Sequence, residues 1–414
     1  MTVRVSKSTI NLREKLSELD HPVGNHGTQL MKSADAAESF SLIQAGRKNL
    51  IINGDMIVNQ RGVAAVANVA EGDNIRDNIL SADRWGGWAD AATKYTVSTV
   101  AITGDAANAP PGFRNSLKIT SSAATATTSG MYKTVSQRIE AQNLDHLALG
   151  TINAKNFTVS FWVKSSLTGR FSATIHNNAL TSGRSYPFVY LINKANTWEW
   201  KSVTIMGDTI STGWQTSANN FGMELSFSLQ MGSTYATIGD NVGWVGNWRY
   251  PTGCVNLLET NAATWYLTGV QLEEGNVATS FEHRSHAEEL ELCQRYCQKF
   301  GEGWWFTGYH RGGGYSEYGY CMVPLRTTMR TGPSVSAQGD NLHGYSYVPD
   351  GYQTAQLGSG RTASHIIMNG SHTDPAATTA VRIQWQSGHG WSNNDIVHYR
   401  SENADTFLIL SAEL

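Results

Sequence analysis

Three groups of residues in this chain carry side chains able to do chemistry. The first is a pair of adjacent carboxylates, Glu273-Glu274. Cleaving a glycosidic bond needs two carboxyls facing one substrate at a set separation. Neighbours on a strand point to opposite faces, so these two cannot be the acid and the nucleophile of one site. The pair reads as a solvent-facing turn. The second group is His283, His286, Cys293 and Cys297, residue types that ligate zinc. Their spacing, H-x2-H-x6-C-x3-C, fits no common finger, and two thiols one helical turn apart read as small buried groups. Six more histidines, His310, His343, His365, His372, His389 and His398, are scattered and not paired. No phosphate loop, dinucleotide fingerprint or Gly-x-Ser-x-Gly elbow occurs. The expectation is therefore a protein without catalytic residues, metal or cofactor.

The third group is aromatic. Fourteen aromatic residues fall in 301–414, and no lysine follows Lys299. Tyrosine, glycine, serine and asparagine are enriched there, the mixture that antibody loops use for adaptable recognition. Sugar recognition needs flat apolar faces for C–H contacts and a few placed polar groups for hydroxyls. Trp304, Trp305, Tyr309, Tyr315, Tyr318 and Trp391 are the candidates for such a glycan-binding wall. For each of them the competing reading is a core or subunit-interface residue.

The elements that must hold these residues are mostly strands. A chain of 414 residues exceeds one ordinary core. Forty glycines, 10% aromatics and only 16% charged residues favour a β protein with many tight turns. A net charge of −3 leaves no basic footprint for nucleic acid, and no apolar run is long enough to insert in a membrane. No signal-peptide pattern follows Met1, so synthesis and folding in a cytosol are expected.

Residues 1–48 read as two short helices. Leu12, Leu16 and Leu19 line one face of the first, and Ala36, Phe40 and Ile43 align on the second. Helices of this length are marginal alone. They are expected to form an attachment or trimerising arm, or else to pack on the first β domain. Residues 49–62 read as two short strands broken by Asn53-Gly54-Asp55.

Phe157, Val159, Phe161 and Val163 alternate with polar neighbours, as do Met223, Leu225, Phe227 and Leu229. Burying each such side chain is worth about 1.5–3 kcal/mol before entropy. Many short half-buried strands argue for two packed antiparallel sheets. In the strand 264–272, Trp265 and Leu267 share one parity, Val270 and Leu272 the other. The switch predicts a bulge at Gly269. Ser285 followed by Glu288 predicts a capping box, opening a helix with Leu290, Cys293, Cys297 and Phe300 on one face and Gly301 at its end.

A family resemblance rests on several of these segments in order. They are Asn49–Gly62, Ala82-Asp83-Arg84-Trp85, Val135-Ser136-Gln137-Arg138-Ile139-Glu140, Phe157–Val163, Trp198–Ile205, Thr264–Glu274, Phe281-Glu282-His283-Arg284-Ser285 and Leu292-Cys293-Gln294-Arg295-Tyr296. Together they resemble bacteriophage tail-fibre and virion structural proteins over roughly residues 46–300. Val23–Ala45 is similar to the start of phage structural proteins, particularly those of cyanobacterial phages. Ser411-Ala412-Glu413-Leu414 and Val323-Pro324-Leu325-Arg326 resemble the variable tips that end such fibres.

The resemblance implies a jelly-roll module similar to carbohydrate-binding modules, in a virion fibre that is a homotrimer. The expected architecture is mainly β: a helical attachment arm (1–48) joining other virion proteins, a jelly-roll β-sandwich (49–282), a connecting helix (283–300), and a smaller C-terminal β-sandwich tip (301–414) that adheres to a host cell-surface polysaccharide. Calcium-binding jelly rolls often carry an acid in their last strand, which Leu267–Leu272 lacks. The alternative is a purely structural head or tail decoration protein whose aromatics are all interface.

Overall fold

A computed structural model of the chain describes residues 48–62, 65–67, 81–89, 94–102, 109–177, 183–214, 219–240, 242–301, 305–311, 317–338, 342–348, 351–356, 380–387, 396–401 and 407–413. The chain divides into two compact units, Met1–Lys48 and Asn49–Leu414. Apart from Lys48, the first unit lies outside the described residues, and with it the arm residues Leu12, Leu16, Leu19, Phe40 and Ile43.

The second unit is mainly β. Its first sheet has six strands in the spatial order Ala65–Ala67 (β1), Tyr95–Ala101 (β3), Asn115–Ser121 (β4), Thr264–Glu274 (β14), Phe157–Ser165 (β6) and Glu199–Ile205 (β9). Its second runs Val245–Gly246 (β12), Arg184–Ile192 (β8), Gly169–Asn177 (β7), Phe221–Met231 (β10), Tyr132–Glu140 (β5) and Gly86–Ala89 (β2). Pairing within both is antiparallel. Successive strands change sheet repeatedly, from β4 to β5 to β6 to β7, which is jelly-roll connectivity.

The core between these sheets comes from the alternation. Phe157, Val159, Phe161 and Val163 of β6 and Met223, Leu225, Phe227 and Leu229 of β10 are at most 1% exposed and belong to one cluster. Phe161 meets Phe227 and Tyr190 edge-on, each at 5.1 Å between ring centroids. Edge-to-face pairs of this kind add about 0.5–1.5 kcal/mol beyond the area they bury. The bulge predicted in β14 is present: its register with β6 slips between Thr268 and Gln271, and Gly269 sits at φ +59° with the Phe113 ring where a Cβ would stand. Side chains on both sides of the slip can thereby face the core.

Two segments differ from the sequence reading. Residues 49–62 form no strands. Their backbone groups are met by side chains and by single backbone bonds, such as Leu50 N–H to the Leu272 carbonyl (2.9 Å), instead of a ladder. Gln137 holds both the N–H and the carbonyl of Ile52 (2.8 and 2.7 Å), and Asn53 bonds Val58 through both ends of its amide. Strand β10 is not half-buried but buried on both faces. Its outward Glu224, Ser226, Ser228 and Gln230 are at most 5% exposed. Tyr250, carried by a small parallel pair formed by Ala236–Ile238 (β11) and Tyr250–Pro251 (β13), donates its hydroxyl to Ser226 Oγ at 2.9 Å and closes that face.

The predicted capping box is made in both directions. Glu288 N–H donates to Ser285 Oγ (3.3 Å), and Ser285 N–H to the Glu288 carboxylate (2.8 Å). The helix it opens, His286–Gln294 (α1), is shorter than expected. Cys297–Phe300 (β15) is a strand, because Phe407–Ser411 (β23) offers it a ladder from more than a hundred residues away. Non-local pairing thus overrides a local spacing that also fits a helix. Ser334–Gln338 (β18) completes this sheet in the order β15-β23-β18. A separate six-stranded antiparallel sheet has the order Gly351–Gln356 (β20), Leu342–Val348 (β19), Ile396–Ser401 (β22), Trp305–Arg311 (β16), Glu317–Pro324 (β17) and Ala380–Ser387 (β21).

Candidate functional site

The six-stranded tip sheet sorts its residues by parity. Residues paired across antiparallel strands share a face, and every second residue along a strand joins them. From the register, one face carries Trp305, Tyr309 and Arg311 of β16, Tyr318 and Tyr320 of β17, and Gln384 and Gln386 of β21. On the other side of β16 the same face continues through His398 and Arg400 of β22 to His343 and Tyr345 of β19. The opposite face carries Phe306, Cys321, Val381, Ile383, Trp385 and Val397, together with His310, Glu317 and Tyr399. At Thr307 and along Met322–Pro324 solvent exposure follows the same division. Thr307, Met322 and Pro324, on the polar and aromatic face, are exposed, Met322 at 54%, whereas Val323 between the last two is 0% exposed. Rings and amides that register brings to one face are the residue types that sugar C–H groups and hydroxyls require.

Three of the six predicted wall residues, Trp305, Tyr309 and Tyr318, fall together on this face. Trp304, Tyr315 and Trp391 lie outside the described residues. The sequence reading missed Tyr320, Tyr345, His343, His398 and Arg400 as members of the same surface. A signal for two of them existed in the alternation Tyr318-Gly319-Tyr320-Cys321 and Tyr345-Ser346-Tyr347, which has the period of a strand with one aromatic face.

The tip segments are tied to the sandwich by a buried polar network. Glu413 pairs with Arg84, and also with Arg61 at 3.5 Å, with all three side chains at most 7% exposed. Arg84 lies over the Tyr296 ring at 3.5 Å. Glu140 accepts two bonds of 2.7 Å from Arg295 and a further one from the Tyr296 hydroxyl. Burial alone would raise the Glu140 carboxyl, but those bonds outweigh it and hold the group below the usual carboxylate range. Arg330 donates to the carbonyls of Ala412 (2.8 Å) and Glu413 (2.7 Å). Asp83, beside Arg61, is pushed up to about 6 because burial outweighs the guanidinium.

The other candidates resolve differently from their sequence reading. Glu273 is not on a solvent-facing turn. It is 1% exposed and accepts from Gln271 Nε2 (2.7 Å) and from the N–H and hydroxyl of Thr279 (2.9 and 2.6 Å), closing the turn after β14. Glu274 is partly exposed and pairs with Lys155 at 2.9 Å. His283 packs edge-on against Phe281 at 4.9 Å and tilted against Phe113 at 5.3 Å between ring centroids. Cys293 and Cys297 are buried free thiols, their pKa raised by burial. Among the described residues, no group of three or more His, Cys, Asp and Glu is arranged to hold a metal. No helix among them is long and apolar enough to cross a membrane.

The sandwich has an aromatic group of its own. Trp162 and Trp200 are cross-strand partners on the outer face of the first sheet, Trp200 at 46% exposure, and Lys164 Nζ lies 4.5 Å from the Tyr266 ring beside them.

No family model matches the chain, and no curated protein sequence does. Solved structures similar to it include a Bacteroides thetaiotaomicron VPI-5482 protein provisionally described as sugar-binding (14% identity, 55% of this chain, 100% of that one, TM-score 0.33). Another is the enzymatically active domain of tailspike protein 4 of bacteriophage CBA120 (12% identity, 55% of this chain but 21% of that one, TM-score 0.29). A third is the CBM22-1 xylan-binding domain of Paenibacillus barcinonensis Xyn10C (9% identity, 51% and 99%, TM-score 0.25). The likeness is to the arrangement of strands; what each of those proteins binds or cleaves is its own.

Proposed function

We propose that this chain is a non-enzymatic bacteriophage fibre protein of the virion, and that its C-terminal part adheres to a host-surface glycan. The observation that carries the reading is the face that Trp305, Tyr309 and Tyr318 share through the strand register of β16 and β17. Sequence resemblance over residues 46–300 supplies the virion context. In this reading the fibre is a homotrimer, residues 1–48 join it to other virion proteins, and the sandwich serves as its stem. Binding on a glycan array that disappears in Trp304→Ala and Trp305→Ala variants of unchanged molar mass is the expected result. Release of reducing sugar from a bound polysaccharide would overturn the non-enzymatic part. A soluble, folded protein that captures no glycan would leave the aromatics as interface and overturn adhesion.

A further inference from the structure

The residues that strand register brings to the tip platform share one sign of charge. Arg311, Arg382 and Arg400 are all the arginines of the six strands, and all three stand on that face, with His343 and His398. Among the described residues no aspartate or glutamate joins them. The one acid in those strands, Glu317, stands on the opposite face. Six of the seven tyrosines (Tyr309, Tyr318, Tyr320, Tyr345, Tyr347 and Tyr352) share the face with the arginines, and Tyr399 alone does not. Parity could have sent each residue either way. The whole chain carries −3, so this face runs against the sign of the protein that bears it.

We propose that the platform takes an acidic glycan, a chain of sugar rings bearing carboxylate, sulfate or phosphate groups. The proposal rests on the reading that this face binds sugar and names the class of sugar. Guanidinium groups present a planar fork of donors that fits carboxylates and other oxyanions bidentately, and they do so in company with aromatic faces. The spacing suits an extended ligand. Gln356, His343, Arg400 and Trp305 form one row across four adjacent strands, about 14 Å from end to end at the usual strand separation. A second row, Ile396, Tyr309, Tyr320 and Gln384, runs parallel to it four residues further along β16. One row offers a cation beside a ring, the other rings beside an amide. Nucleic acid, the other polyanion that stacks on rings, is disfavoured by the absence of lysine after Lys299 and by the many amide and hydroxyl groups suited to sugar hydroxyls.

The test uses the full chain on matched surfaces: dextran sulfate against dextran, polygalacturonate against its methyl ester, and single-stranded oligo-dT. Retention on the two acidic polymers at least tenfold stronger than on their neutral partners is expected, weakening as sodium chloride rises. An Arg382→Gln, Arg400→Gln variant should lose at least tenfold on dextran sulfate while keeping its unfolding midpoint. Equal retention on acidic and neutral partners, or no response to salt in the unaltered protein, would overturn the acidic class and leave sugar binding standing. Stronger retention on oligo-dT than on any polysaccharide would overturn sugar binding itself. The salt series needs no variant, so it decides the matter even where the substituted protein folds poorly.

Discussion

The carboxylate of Glu413 is paired with the guanidinium of Arg84, a residue 329 positions earlier in the chain. The pair holds the end of the tip's small sheet against the sandwich, and both side chains are at most 7% exposed. Arg61 and Arg330 converge on the same stretch, the first on the Glu413 side chain and the second on its carbonyl. Without the carboxylate, the buried Arg84 guanidinium would lose its counter-charge and Arg61 would keep only Asp83. Glu413→Ala should therefore cost about 3–5 kcal/mol of stability, as measured by urea unfolding. Glu413→Gln, which keeps an acceptor, should cost less. A loss under 1 kcal/mol for the alanine variant would mean that the junction is held by apolar packing alone.

Gly54 is a fixed point within the sandwich, where residues 49–62 meet β14. A Cβ at this position would stand 2.2 Å from the Val270 carbonyl oxygen, while the Gly54 carbonyl accepts from Val270 N–H at 3.0 Å. Two backbones approach too closely there for any side chain. Gly54→Ala should destabilise by at least about 2–3 kcal/mol, since backbone on both sides must move. An unfolding midpoint within error of the parent protein would contradict this geometry.

The pH dependence should carry the mark of Asp83. Its folded value, about 6, lies above the ordinary aspartate value of 3.8, because burial outweighs Arg61. Between those values the folded chain holds a proton that the unfolded chain has released, so this group makes stability fall as pH rises from about 4 to about 6. Glu140 works in the opposite sense. Its depressed value contributes stability above the ordinary carboxylate range that is lost as pH falls through the folded value. Asp83→Asn should remove the first effect only, gaining roughly 2–3 kcal/mol relative to the parent across that window. Denaturation curves at pH 4 and pH 7 that show no such relative gain would contradict the assignment.

Much of the sandwich was legible in the sequence because its signals are local. The alternation in Phe157–Val163 and Met223–Leu229, the parity switch at Gly269 and the capping box at Ser285 each depend on a few adjacent residues. What was not legible depends on distant partners. Residues 49–62 look like strands, but their backbone is satisfied by the Gln137, Asn49 and Asn53 side chains and by single bonds to distant backbone such as Leu272 and Val270. The spacing of Leu290, Cys293, Cys297 and Phe300 fits a helix until β23 claims the last four residues of that stretch. The candidate site was half legible for the same reason. Its ring residues stand out by type, but which of them share a face is a matter of register across six strands.

The proposed fibre makes a direct statement about assembly. The chain is 45.2 kDa, so sedimentation equilibrium should return three times that mass. Deleting residues 1–46 should leave the oligomer folded and remove only its joining to particles. A monomeric full-length protein would rule out the trimer, and loss of folding on deletion would make the arm part of the core.

The central claim is that the aromatic face of the tip sheet, and not the sandwich, is where the sugar lies. Titrating a polysaccharide that the parent protein binds into a Tyr309→Ser, Tyr320→Ser variant and into a Trp200→Ala variant tests it most directly. Truncating an aromatic residue at the centre of a binding surface costs about 2 kcal/mol or more. The first variant should therefore lose at least tenfold in affinity while the second binds as before. Full affinity in the tyrosine variant, with loss in Trp200→Ala, would move the site to the sandwich and contradict the account.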